Sequence, residues 1–182
     1  MLRSARKFAK DRKGLAAVEF ALIAPVLVTL LLGTIEVCNA LECHTKVTML
    51  ASTASDLVAQ ETSVSATDMT NIFDATTSIL YPFPIANAQI IVTSIVSDGN
   101  GGGTVGWSVA KNTTAHTAGA AIAIPSGLMS KSSCAVNACS VILAEVTYGY
   151  NSPLGKFFLG TVDMTDTFYS HPRKSTTVSY TG

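Results

Sequence analysis

The sequence predicts an α+β protein, a long N-terminal helix whose first half spans a membrane and whose second half packs on a small antiparallel β-sheet. Three observations carry that expectation. A nineteen-residue apolar run follows a strongly basic segment, its apolar rhythm continues at helical spacing beyond the run, and the second half of the chain switches to two-residue alternation between turn-rich stretches.

The first element is the run Leu15–Gly33, LAAVEFALIAPVLVTLLLG, in which Glu19 is the sole charge. At about 20 helical residues per hydrocarbon core it is long enough to cross a bilayer. Arg3, Arg6, Lys7, Lys10, Arg12 and Lys13 precede it against Asp11 alone, so the first thirteen residues carry +5 and the rest of the chain −5. Basic flanks stay in the cytoplasm, which puts everything after Gly33 on the other side. An acidic exported part offers no basic surface for nucleic acid, so nucleic acid is set aside as a partner. Composition agrees: 48% of the 182 residues are apolar and 13% charged, against about 25% charged in an average soluble domain. That length holds one ordinary domain and an appended segment.

Beyond Gly33, Ile35, Cys38, Leu41, Val47, Leu50, Ala54, Leu57 and Val58 continue the helical rhythm, interrupted by Glu36, Glu42, Lys46 and Asp56. Glu42 and Lys46 form a favourable i, i+4 pair. One helix over 15–60 follows, bent or loosened at Pro25. After the Ser/Thr-rich joint at 61–67, Met69, Ile72, Phe73, Thr76, Ile79 and Leu80 predict a short second helix that ends before Pro82. Residues 90–96, 104–110, 141–150, 165–169 and 176–180 read as four or five strands, and Asp98-Gly-Asn-Gly-Gly-Gly103 as a glycine-rich hairpin turn. No repeat of fixed period appears.

The stretch Lys13-Gly14-Leu15-Ala16-Ala17-Val18-Glu19-Phe20 places a glycine between a basic segment and an apolar run whose fifth residue is a carboxylate followed by an aromatic. It resembles a type IV prepilin cleavage signal. The resemblance implies that a prepilin peptidase cuts between Gly14 and Leu15, removing residues 1–14 as a basic leader. It also implies that Glu19, with Phe20 beside it, serves assembly by meeting the new amine of a neighbouring subunit. A carboxylate at the bilayer centre costs about 2.5–3.5 kcal/mol on insertion scales and less near the edge, so Glu19 needs neutralisation or a partner.

AAVEFALIAP over Ala16–Pro25, with Leu32, Gly33 and Glu36, is similar to the TadE and TadG-like family of the tight-adherence (Flp) pilus system. Glu145-Val-Thr-Tyr-Gly-Tyr150 and His171-Pro-Arg173 resemble a strand and a near-terminal basic motif of the same family. The chain lacks the length and the Asp-x-Ser-x-Ser motif of larger TadG-like members, and it is longer than the major Flp pilin. The resemblance therefore implies a pilin-like fold and a non-enzymatic minor pseudopilin of the bacterial inner membrane. Its N-terminus would be cytoplasmic, its domain over 61–182 periplasmic, and it would reach the surface pilus if incorporated. Implied partners are the prepilin peptidase, other pilus subunits, inner-membrane assembly proteins and the lipid bilayer, with no cofactor and no metal.

Other readings compete at each point. A secretory signal peptide cut near Cys38 and Ala40 is disfavoured by the carboxylate and by a run longer than the usual 7–15 residues. A signal-anchored periplasmic enzyme or binding domain that never polymerises remains the alternative. Export permits disulfides, and Cys134 and Cys139 enclose a short loop that a local bridge can close. Cys38 and Cys43 lie about 140° apart round a helix and cannot pair with each other; Cys38 reads as a small buried apolar residue. The four cysteines lack a C-x-x-C pair for zinc, and the Asp98 loop lacks the closing Glu of a calcium site. Asn112-Thr-Thr fits a glycosylation acceptor by pattern alone, while His44, His116 and His171 have no carboxylate or nucleophile motif near them in sequence.

Overall fold

The computed structural model describes residues 13–129, 134–152 and 160–182. Its first element, α1 (Lys13–Ala59), is one helix of 47 residues that runs through Pro25. Proline lacks the N–H that the Ala21 carbonyl would accept; one turn on, Thr29 Oγ1 donates to the Pro25 carbonyl at 2.8 Å. Two-residue β1 (Ser63–Val64) follows, then α2 (Ala66–Thr77). Ser65 caps α2: its hydroxyl accepts the Asp68 N–H at 3.2 Å while the Asp68 carboxylate accepts the Ser65 N–H at 2.9 Å. The Ser65 hydroxyl, which donates to the same carboxylate at 2.7 Å, and then the Ser65 N–H hold the Asp68 carboxyl below its ordinary range.

The remaining strands are β2 (Ala88–Ser97), β3 (Gly103–Lys111), β4 (Ala121–Ile122), β5 (Ser140–Asn151), β6 (Thr161–Ser170) and β7 (Ser179–Tyr180). Five of them make an antiparallel sheet in the order β4-β3-β2-β5-β6. The β2–β3 turn works as the glycines suggest. Asp98 Oδ1 accepts the N–H groups of Asn100 and Gly102 at 2.7 and 3.0 Å, and Gly99 and Gly101 take positive φ. The run at 176–180 differs from the expected fifth strand. Only Ser179 and Tyr180 are extended, and they pair in parallel with Ser63 and Val64, away from the main sheet. Trp107 explains the detour, since its indole donates to the Val178 carbonyl at 2.7 Å and its ring stacks on Tyr180.

Alternation along β5 turns Ile142, Ala144, Val146, Tyr148 and Tyr150 toward the helices, where they meet Cys43, Val47, Leu50, Ala51, Ala54 and Val58 of α1. These six recur at three- and four-residue steps and each is at most 1% exposed. Alanine at 51 and 54 lets the helix lie close to the strands. On the other sheet face, Val141, Leu143 and Ile95 form a smaller cluster with Met129. The α1 stripe differs from the sequence reading at its membrane-proximal end: Ile35, Cys38 and Leu41 are exposed, whereas Glu36 and Cys43 are buried.

Leu50 is 0% exposed at the centre of the helix–sheet contact. Leu50→Ala is expected to destabilise the protein by about 2–5 kcal/mol, read as a lowered midpoint of thermal unfolding followed by circular dichroism in detergent.

Candidate functional site

The first half of α1 stands clear of the domain. Its most apolar window has a mean hydropathy of 2.5 and is 0% buried. Leu15, Phe20, Leu22 and Leu30 are each more than half exposed. At about 1.5 Å per residue, Leu15–Gly33 covers roughly 28 Å, near the 30 Å of a hydrocarbon core. Glu19 lies on this exposed segment, and among the described residues no cation reaches it. A Cβ at Gly14 would meet nothing within 4 Å, so helix packing does not demand glycine there. The basic leader lies, except for its last residues, outside the described residues.

Where the helix leaves the apolar run, the fold builds a polar junction. Glu36 is 1% exposed, and the Tyr150 hydroxyl donates to its Oε1 at 3.0 Å, while Oε2 has no partner. Phe83 sets its ring edge-on to both Tyr148 and Tyr150, and the Tyr148 hydroxyl donates to the Pro84 carbonyl at 3.2 Å. Burial, then the hydrogen bond to Glu36, pushes the Tyr150 phenol up to about 12. Burial, reinforced by the Glu42 charge and offset in part by Lys46, pushes the Cys43 thiol up to about 11. Lys46 pairs with Glu42 at 3.6 Å and donates to the Tyr81 carbonyl at 2.7 Å. Tyr150 of the Tyr-Gly-Tyr motif thus holds Glu36.

The far end of the helix is fastened by the second motif. The Arg173 N–H donates to the Ala59 carbonyl at 2.8 Å and its guanidinium pairs with Asp56. The backbone N–H satisfies a terminal carbonyl, and the guanidinium complements the negative end of the helix dipole. Between these two ends, Thr48 donates to Asp166, and the Ser55 and Ser170 hydroxyls share a hydrogen bond of 2.9 Å. The fastening runs through Arg173 rather than through His171, its neighbour in the motif.

The other sequence-derived candidates fall elsewhere. Cys134 and Cys139 are joined in a disulfide, Cα–Cα 5.6 Å, beside the β2–β3 turn, where Asn137 N–H donates to the Ser97 carbonyl. Cys38 and Cys43 are free, the first exposed and the second buried. Asn112 turns its side-chain amide to the Ala88 carbonyl at 2.8 Å. His116 has a partner that sequence distance hid, the Glu145 carboxylate at 2.6 Å across the outer sheet face. The Ser108 hydroxyl beside it accepts from the His116 backbone N–H and shares a bond with Thr93, so it is engaged with groups other than the imidazole. Among the described residues no group of three or more His, Cys, Asp or Glu is arranged to hold a metal ion.

Two outcomes follow from the junction. Tyr150→Phe leaves a buried carboxylate with neither oxygen bonded and should destabilise by about 1–3 kcal/mol, whereas adding Glu36→Leu should restore most of the loss; thermal midpoints of the single and double variants test this. The raised phenol and thiol stabilise the fold below their ordinary values of 10.0 and 9.0, and that contribution is lost as pH rises toward about 12 and about 11. Alkylation at pH 8 should therefore modify Cys38 and spare Cys43, with Cys43 becoming reactive only as the fold loosens at alkaline pH; equal rates at pH 8 by peptide mass spectrometry would contradict the assignment.

No curated protein and no solved structure matches the chain. Its sequence from residue 14 to residue 56 matches the family described as TadE-like protein. The matched segment begins at the glycine before the apolar run, contains both Glu19 and Glu36, and ends at the aspartate that Arg173 holds. Over residues 14–56 the chain is similar to TadE-like proteins.

Proposed function

We propose that this chain is a minor pseudopilin of the tight-adherence pilus, held in the inner membrane by Leu15–Gly33 with its N-terminus cytoplasmic and its domain periplasmic. A prepilin peptidase removes residues 1–14 by cutting between Gly14 and Leu15. The mature subunit then acts in pilus assembly or adhesion beside other pilus subunits and inner-membrane assembly proteins. Its divisions are the leader, the helix over 15–60 and the domain over 61–182.

The observation that carries this reading is Glu19, a carboxylate on a bare apolar helix with no cation near it among the described residues, five residues into the chain that cleavage would leave. Left alone in lipid it is unfavourable by up to a few kcal/mol. Cleavage creates an amine at Leu15, a second charge beside apolar surroundings. Pairing the amine of one subunit with Glu19 of the next satisfies both, and favours leaving the bilayer for a neighbour. Gly14 supports the same reading, since glycine is costly inside a helix by about 1 kcal/mol relative to alanine and packing gives no reason for it here.

In cells carrying Glu19→Ala in place of the native copy, the protein should be processed and abundant while surface piliation is lost. Gly14→Val should leave the leader uncut and the product larger on a high-resolution gel. Full piliation with Glu19→Ala, together with a normally sized Gly14→Val product, would favour a signal-anchored domain that does not polymerise.

A further inference from the structure

Because α1 is unbroken from Lys13 to Ala59, the height of every part of the domain above the apolar run is fixed by its register on the helix. Tyr150 holds Glu36, three residues past Gly33 and so about 4.5 Å beyond it. On β6, Asp166 sits beside Thr48 and Ser170 beside Ser55. Four strand residues, about 13 Å, thus accompany seven helix residues, about 10 Å, and the strand runs nearly along the helix. Val162, four residues before Asp166 and the ladder partner of Tyr150, comes down to the height of helix residues 36–41. Ile85 belongs to the same end, just after Pro84, which Tyr148 holds, and before Ala88, the ladder partner of Tyr148.

This end is therefore about 4–12 Å beyond the hydrocarbon edge, overlapping a headgroup layer roughly 5–7 Å thick on each side. Its exposed side chains suit that place. Ile35, Val37, Ile85 and Val162 are 46%, 53%, 44% and 36% exposed. Of the carboxylates near this height, Glu36 is closed off behind Tyr150 and Phe83, while Asp163, next to Val162, is exposed.

We propose that the domain is seated on the membrane its own helix crosses, with the Ile85 and Val162 end lying in the lipid headgroup layer as a second contact with the bilayer. The proposal rests on Leu15–Gly33 being a membrane span. Seating fixes the tilt of α1 and holds the domain down until the subunit is drawn out, so the lipid contact is one that assembly must break.

The test places the photoreactive residue p-benzoylphenylalanine at Ile85, Val162, Leu27 or Glu61 of the full chain, reconstituted in phosphatidylethanolamine–phosphatidylglycerol vesicles. Irradiation is followed by mass analysis for lipid adducts. Leu27 reports the span, and Glu61 lies beyond the opposite end of the helix. Adducts at Ile85 or Val162, in yield several-fold above Glu61, are expected alongside adducts at Leu27. Adducts at Leu27 with only the Glu61 level at both Ile85 and Val162 would overturn the seating while leaving the span intact. Absence of adducts at Leu27 would overturn the span and the seating with it.

Discussion

One unbroken helix carries two kinds of surface, and the fold is organised around that continuity. In α1 the residues before Gly33 are apolar on every side, whereas from Glu36 onward a single stripe faces the sheet and the remaining faces do not. A helix apolar all round is satisfied in lipid, and an amphipathic one needs a protein surface along one side. No linker separates these halves. The sheet must therefore be brought to the helix rather than the helix to a preformed core, and β5 and β6 are the strands that meet it.

That demand explains why the strongest specific contacts sit at the two ends of the sheet-bound half. At one end a tyrosine hydroxyl and an aromatic pair enclose Glu36; at the other an arginine holds Asp56 and a terminal carbonyl. The apolar stripe between them supplies most of the burial, and it is not directional. Charged and hydrogen-bonded ends are directional, and an unpaired buried member is strongly unfavourable. The stripe holds the helix down, and the polar contacts at its two ends, with Thr48–Asp166 and Ser55–Ser170 between them, fix where along the strands it lies.

Much of this is legible in the residues alone. The apolar run, the helix continuing past it, the short second helix, the glycine turn at Asp98 and most strands of the sheet follow from period and punctuation. The facing stripe is less legible. Counting apolar residues puts Ile35, Cys38 and Leu41 on it and makes Glu36 an interruption, since hydropathy assigns a carboxylate to water unless its partner is known. That partner, Tyr150, is on β5, and sequence distance gives no sign of it. His116 and Glu145 are hidden for the same reason. Resemblance does flag Tyr148-Gly149-Tyr150 and His171-Pro-Arg173, and the geometry supplies what resemblance lacks, the helix residues each motif holds.

The two carboxylates of the helix's N-terminal part then separate by the company they keep. Glu36 is closed into the domain and accepts from its own chain, so it fixes the fold. Glu19, seventeen residues earlier and about 25 Å along the axis, stands on a segment to which the described part of the domain contributes nothing. A carboxylate in apolar surroundings must be neutral or paired, and the tyrosine donor at the junction is already engaged with the other one. On the reading proposed above, Glu19 takes a charge partner from outside the domain, the new terminus of a second subunit. Each carboxylate thereby has a single role. The inner one cannot recruit a neighbour without opening the Tyr150 clamp, and the outer one has no partner within the described domain to compete with recruitment.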